Sequence, residues 1–296
     1  MKIGLIDVDG HNFPNLALMK ISAWHKAKGD TVEWCLPLDS YDIVYQSKVF
    51  DETHSPDIEW IPMADKIIKG GTGYGLDNTL PDEIEHIYPD YDLYPELTRD
   101  TAFGFLTRGC PRACDFCIVA SKEGRKSYKV ADLGEFWRGQ KHIELLDPNL
   151  LACKDRMELL DQLIDSRAIV NFNQGLDIRL TNEEIVHKLG EMRVKRIHFA
   201  WDNPKDDLTH YFKQFSEAYK RKSSSTKAVY VLTNFNSTMD ENLYRIYTLR
   251  DLGYDPYVMV YDKPHAPKEI KQLQRWVNNK FIFRSCEKFE DYKRGR

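Results

Sequence analysis

Short apolar, β-branched runs alternate along the chain with longer stretches whose apolar positions recur every three or four residues, which predicts an α/β protein. Residues 2 to 9, KIGLIDVD, read as a strand ending in acids, Asn15 to Lys28 as an amphipathic helix and Thr31 to Leu36 as a second strand. Strand, helix and strand in this order make a βαβ unit. Two more apolar runs follow, YDIVYQSKVF with Ile43, Val44 and Val49, and DKIIKGGTGYG with Ile67 and Ile68 closing on glycines. They predict a small Rossmann-like open α/β domain over residues 1–75, with its ligand crevice at the carboxyl ends of parallel strands. Residues 76–100 hold three prolines, many acids and little periodicity, so they read as a linker, with Tyr88, Tyr91 and Tyr94 as candidates to pack against the next domain.

From residue 102 a strand-then-helix unit recurs. Strands are expected at Ala102 to Thr107, His142 to Asp147, Ala168 to Gln174, Lys195 to Trp201, Lys227 to Thr233 and Pro256 to Asp262. Their starts lie 40, 26, 27, 32 and 29 residues apart, the period of a βα unit with right-handed crossovers. The clearest helix start is Thr181, which forms a capping-box pattern with Glu184 ahead of Ile185, Leu189 and Met192. Six such units predict a partial (β/α)6 TIM-like barrel over 101–264, and the helical run Ile270, Leu273, Trp276 and Val277 makes 265–296 an extension that closes it.

The 296 residues are 42% hydrophobic, enough for a real core. No run of eighteen apolar residues exists, and MKIGLIDVDG is followed by polar sequence in place of a signal-peptide core, so a cytoplasmic protein with no membrane contact is expected. Charge is divided unevenly: residues 1–98 carry 7 Lys and no Arg against 18 acids, and residues 99–296 carry 35 Lys and Arg against 28 acids. The basic half makes nucleic acid a candidate partner, with KRK at Lys220 to Lys222 and KRGR at the C-terminus as its densest runs; scattered charge on a solvated surface is the simpler meaning.

Three of the six cysteines crowd into CPRACDFC, Cys110, Cys114 and Cys117, directly after the apolar run AFGFLTRG. That density is no disulfide framework in a chain of this length. Structural zinc requires four ligands, and no second pair is present; His142 and Cys153 complete a site only if folding brings them in. Three thiolates hold a four-iron cluster by three corners and leave one iron open. The spacing, with Phe116 immediately before the last cysteine, resembles the signature of the radical S-adenosylmethionine (radical SAM) family. The resemblance implies that Cys110, Cys114 and Cys117 ligate a [4Fe–4S] cluster, that S-adenosylmethionine chelates the open iron, and that Phe116 lies beside the adenine. It further implies reductive cleavage of S-adenosylmethionine to a 5′-deoxyadenosyl radical, an external one-electron reductant of flavodoxin or ferredoxin type, and a partial (β/α)6 barrel.

The expected strand ends are polar, as a ligand with an ammonium, a carboxylate, a ribose and an adenine requires. Asp147 and Asn149 stand where the family contacts the ammonium, Arg179 is a candidate for the carboxylate, and Gln174, Trp201, Asn234 and Tyr261 are candidates for S-adenosylmethionine or substrate. Capping and turn formation are the plain alternative at each. Cys153 is a candidate hydrogen-atom donor or covalent site, set against a buried structural thiol. In the N-terminal segment, Asp9-Gly-His11, Ser47-Lys-Val49 and Gly70-Gly71 resemble the cobalamin-binding domain, with Pro14 and Val49 where that family has glycine and leucine. The resemblance makes His11 the candidate cobalt ligand, cobalamin a candidate cofactor and methyl transfer a candidate reaction; a cobalamin-like architecture without the cofactor is the preferred reading. Two alternatives stand beside the radical enzyme: modification of a nucleic-acid base by the same chemistry, and a non-catalytic iron–sulfur electron-transfer protein.

Overall fold

The structure, a computed structural model, describes residues 1–10, 12–220 and 226–292. It is a mixed α/β protein with parallel sheets, and the chain divides into two compact units, Met1–Glu144 and Leu145–Arg296.

In the first unit, β1 (Lys2–Asp7), β2 (Thr31–Trp34), β3 (Ser40–Ser47) and β4 (Met63–Gly70) form a wholly parallel sheet in the order β2-β1-β3-β4. Helix α1 (Leu16–Ala27) starts where the Asn15 side chain accepts from Leu18 N at 3.2 Å, and it ends as Lys28 N bonds back to His25 O. It covers Ile3 and Leu5 with Leu18 and Ile21. The opposite face, with Ile6, Tyr41 and Val44, is covered by Ile58 and Trp60 from the β3–β4 connection, not by a helix. Both faces of β1 are therefore buried, which is why its sequence is nearly continuously apolar and not alternating.

Residues 76–100, read from the sequence as a linker, carry short ordered elements. They contain α2 (Asp82–Glu85), a 3-10 turn at Tyr91–Leu93 and α3 (Pro95–Thr98), and they belong to the first unit. The three tyrosines are anchors within that unit. Tyr94 donates to Asp7 Oδ2 at 2.5 Å, Tyr91 donates to Phe136 O at 2.6 Å, and Tyr88 accepts from Gln140 at 2.7 Å. Hydrogen bonds made by side chains distant in sequence leave no periodic trace.

After this segment come β5 (Thr101–Gly104), the short antiparallel pair β6 (Thr107–Arg108) and β7 (Tyr128–Lys129) with α4 (Val119–Lys122) between them, and β8 (His142–Leu145), the neighbour of β5.

The second unit carries β9 (Ile169–Leu176), β10 (Arg193–Ala200), β11 (Lys227–Thr233) and β12 (Asp255–Val260), adjacent in sequence order and parallel throughout. Helices α5 (Arg156–Ser166), α6 (Glu183–Glu191), α7 (Thr209–Ala218), α8 (Met239–Asp251), α9 (Lys268–Asn278) and α10 (Lys280–Ser285) lie before, between and after them. The amphipathic run expected in the tail is α9: Ile270, Leu273, Trp276 and Val277 are buried, and Asn278 Oδ1 accepts from Val258 N of β12 at 2.8 Å.

The expected capping box at Thr181 and Glu184 does not form. Asn182 is the N-cap, accepting from Ile185 N at 2.9 Å, while Thr181 Oγ1 donates to Ile178 O at 2.6 Å and closes the preceding turn. Asn is the better N-cap, and the adjacent 3-10 turn offers the threonine hydroxyl a local acceptor. The same T-x-x-E spacing does form a box at Thr238 and Glu241, where Glu241 N donates to Thr238 Oγ1 at 3.2 Å and Thr238 N to Glu241 Oε2 at 2.8 Å.

Candidate functional site

The three motif cysteines lie on the connection of the β6–β7 hairpin, one short strand later than the sequence pattern suggests. Arg108 pairs with Tyr128 across the neck, and Cys110 N donates to Gly124 O at 3.2 Å. Gly109 has φ +76°, and a Cβ there would come within 2.1 Å of Lys126 O, so the step into the motif requires glycine. Ala113 also has positive φ, 46°, and Cys117 N donates to Cys114 O at 2.9 Å, so the chain turns sharply between the first two cysteines and again between the last two. Lys122, on α4, donates to Thr72 Oγ1, tying the far side of the loop to the turn after β4.

Cys110, Cys114, Cys117 and Phe116 are all half-buried, and no disulfide joins any of the six cysteines. Three soft thiolates within one compact loop suit an iron–sulfur centre in their donor chemistry. Among the described residues no group of three or more His, Cys, Asp or Glu side chains is arranged to hold a metal ion.

At the carboxyl ends of β1, β3 and β4 stands the second candidate pattern. His11 lies outside the described residues. Other residues of the pattern and near it in sequence make hydrogen bonds within the unit. Asp9 Oδ2 accepts from Val49 N and, at 2.9 Å, from Phe50 N, and Asn15 Nδ2 donates to Ser47 Oγ at 2.8 Å. Gly71, at φ +94°, lies so close to the 48–50 segment that a Cβ would stand 2.3 Å from Lys48 O. Lys48 itself is 2% exposed; Glu52 at 2.5 Å and Asp57 at 3.6 Å hold its ammonium and push its pKa above the ordinary lysine value. Gly71 is thus accounted for by the close approach of the β3 and β4 ends, and Ser47 and Asp9 Oδ2 by their hydrogen bonds; a Cβ at Gly70 would meet open space, and Asp9 Oδ1 is buried with no hydrogen-bond partner among the described residues.

The candidates of the second unit fall into distinct environments. Asp147 and Asn149 are buried just beyond β8, with Asn149 heading the 3-10 turn Leu150–Ala152. Gln174 is exposed on an irregularity of β9, where the register with β10 shifts between Phe172 and Leu176. Arg179 is engaged by two carboxylates, Asp177 at 2.7 Å and Asp206 at 3.2 Å. Trp201 is a core residue: it is 1% exposed, its indole N–H donates to Asp206 O at 2.8 Å, and its ring stacks on Phe212 at 5.5 Å. Asn234, at φ 62°, donates to Tyr261 O at 2.8 Å and joins the ends of β11 and β12, leaving the Tyr261 side chain 45% exposed. Cys153 is buried and 3.9 Å from Asp155 Oδ2; burial pushes its thiol pKa up, the reverse of an activated cysteine.

Two groups escaped the sequence reading. Arg245 on α8, 1% exposed, donates to Trp201 O at 2.6 Å, Asp202 O at 2.9 Å, Leu232 O at 3.0 Å and Asn242 Oδ1 at 2.6 Å, fastening the carboxyl ends of β10 and β11. Burial lowers its pKa to about 10. The second is a row on the sheet face that carries His198 and Tyr230, whose rings stack at 4.9 Å with 6° between their planes, followed by Tyr257 edge-on at 6.0 Å. Register places Tyr230 beside Tyr257, and Leu232 beside Met259, on that face. Period-two spacing of Tyr257, Met259 and Tyr261 is the sequence signal of this row.

Comparison of the chain with models of known protein families finds no match, and comparison with curated protein sequences finds none. Among the described residues no helix is long and apolar enough to cross a membrane.

Proposed function

We propose that the chain is a radical SAM enzyme in which Cys110, Cys114 and Cys117 hold a [4Fe–4S] cluster by three irons and S-adenosylmethionine occupies the fourth. The observation that carries the reading is the C-x₃-C-x₂-C run with Phe116 before its last cysteine. Support comes from its setting in a loop whose neck is closed by the Cys110 N to Gly124 O hydrogen bond. When bound, the cluster supplies the electron that cleaves S-adenosylmethionine reductively. The chain's part is to present three thiolates from one short loop and to place Phe116 for the adenine.

In the finer fold reading, β5, β8 and β9–β12 are the six strands of a partial (β/α)6 barrel behind a Rossmann-like, cobalamin-binding-like domain. The consecutive parallel order of β9–β12 and the helix between each successive pair support it. Gln174, Asn234 and Tyr261, exposed or half-buried at strand ends, are proposed contacts for S-adenosylmethionine or substrate, and Asp147, Asn149 and Arg179 are proposed to shape the polar ends. The reductant is proposed to be a flavodoxin- or ferredoxin-type protein, and the compartment the cytoplasm, where thiolates and clusters persist.

Anaerobic reconstitution with iron and sulfide, followed by dithionite and S-adenosylmethionine, tests the reading. Release of 5′-deoxyadenosine by the wild-type chain and its loss in Cys110→Ala are expected. A chain that takes up iron and cycles electrons but releases no deoxyadenosine is an electron-transfer protein instead. Methyl-labelled S-adenosylmethionine, with cell extract as substrate source, reports whether a methyl group moves and whether it moves to nucleic acid. The nucleic-acid reading has weaker support, since KRGR and all but Lys220 of KRK lie outside the described residues.

A further inference from the structure

The loop bearing the three cysteines is gripped at its neck by one side chain. Glu123 Oε1 accepts from Arg108 Nη1 at 2.7 Å, and Oε2 accepts from Gly109 N at 3.0 Å. A single carboxylate thus holds the side chain of one residue and the main chain of the next, the two residues immediately ahead of Cys110. Glu123 is itself fixed by α4, since its N–H donates to Val119 O at 2.8 Å, and the carbonyl of the following residue, Gly124, takes the N–H of Cys110. The Arg108 guanidinium lies 3.4 Å over the Phe105 ring, which limits the directions it can point. With its side chain 13% exposed, the carboxylate makes these charge-assisted hydrogen bonds away from most of the competing water.

We propose that Glu123 is the positioning residue of the cysteine loop: by binding Arg108 and Gly109 N together it holds Cys110 at the neck, in register with Cys114 and Cys117. Ligand loops are oriented by the groups behind them, and loss of such a group costs about tenfold or more in metal affinity. The functional consequence rests on the iron–sulfur reading of the loop. The geometric content, that Glu123 holds Cys110, does not need iron and is tested without it.

The iron-free chain is alkylated with N-ethylmaleimide as wild type, Glu123→Ala, Glu123→Gln and the double swap Arg108→Glu with Glu123→Arg. Rates at Cys110, Cys114 and Cys117 are followed by peptide mass spectrometry, with Cys286, outside the loop, as reference. Glu123→Ala is expected to raise the Cys110 rate above that of the wild type. Glu123→Gln, which keeps an acceptor for Gly109 N but loses the Arg108 pair, should fall between. The double swap restores opposite charges but leaves Gly109 N without its acceptor, so it should not recover wild-type behaviour. In parallel, reconstituted chains are challenged with an iron chelator, and Glu123→Ala should lose iron about tenfold faster. An unchanged Cys110 rate in both single variants, or full recovery in the swap, overturns the proposal. If the wild type takes up no iron, the cluster reading fails while the alkylation series still decides the role of Glu123. Should far-UV circular dichroism show Glu123→Ala unfolded, the milder Glu123→Gln carries the comparison.

Discussion

Arg245 Nη1 donates to the main-chain oxygen of Trp201 at 2.6 Å, from a guanidinium that makes no ion pair among the described residues and instead caps carbonyls at the ends of two adjacent strands. A buried cation held by carbonyl dipoles leaves several acceptors unsatisfied when it is removed. Arg245→Ala is expected to lower the stability of the second unit by about 3–5 kcal/mol, read as a fall in the urea midpoint. Arg245→Lys should recover only part, since one ammonium cannot reach three carbonyls and an amide in a planar fork. A midpoint unchanged by Arg245→Ala would mean the strand ends are held by other contacts.

Lys227 is the opposite case. Its ammonium is buried, 3.0 Å from Ser216 Oγ and 4.7 Å from the Tyr254 ring centre, and makes no ion pair among the described residues. Burial lowers its pKa below the ordinary 10.5. The unfolded chain therefore binds a proton that the folded chain has already released between the lowered value and 10.5, and stability should rise with pH through that window and level off above it. Lys227→Met should remove this part of the rise and add on the order of 1 kcal/mol at neutral pH. Urea titrations of both chains across the alkaline range check the slope, and an unaltered slope in Lys227→Met would assign the rise to another group.

Gly71 approaches Lys48 O too closely for any side chain. Gly71→Ala should destabilise the first unit by about 1–3 kcal/mol in cofactor-free buffer, from the positive φ and the contact together. Thermal unfolding checks it. A neutral result would leave Gly71 without a packing role at that turn.

Cys153 should behave as a core residue. Cys153→Ser is expected to cost roughly 1–3 kcal/mol, because a hydroxyl is costlier to bury than a thiol, and, on the proposed radical SAM reading, to leave iron uptake and deoxyadenosine release per folded chain unchanged. Loss of product release at full iron content would instead make it a catalytic thiol.

Much of the architecture was legible along the chain. The expected strand Lys227 to Thr233 coincides with β11, Asn15 lies at the N-terminus of α1 as expected, and the apolar face of α9 is the one that is buried. Burial of both faces of a parallel sheet writes itself as uninterrupted apolar runs, and a helix on a core writes itself as a period of three to four. The cysteine motif was legible for a related reason, since its three cysteines are near neighbours in sequence and lie on one short loop.

Competition between nearby polar groups was not. Thr181-x-x-Glu184 and Thr238-x-x-Glu241 have the same pattern, and only the second forms a box, because Asn182 and the preceding turn take over at the first. By itself, then, the sequence determined the alternation of strands and helices, the parallel sheets and the contiguous triad of thiols. Tertiary structure alone decided that Arg245 serves carbonyls 43 and 44 residues away, that Lys48 is buried against Asp57, and that Glu123 closes the cysteine loop across 14 residues. The physical reason is one of range: periodicity and spacing record what each residue does for its own element. A polar side chain's partner is fixed only when burial forces its charge or dipole to find whatever acceptor the packed chain has brought within reach.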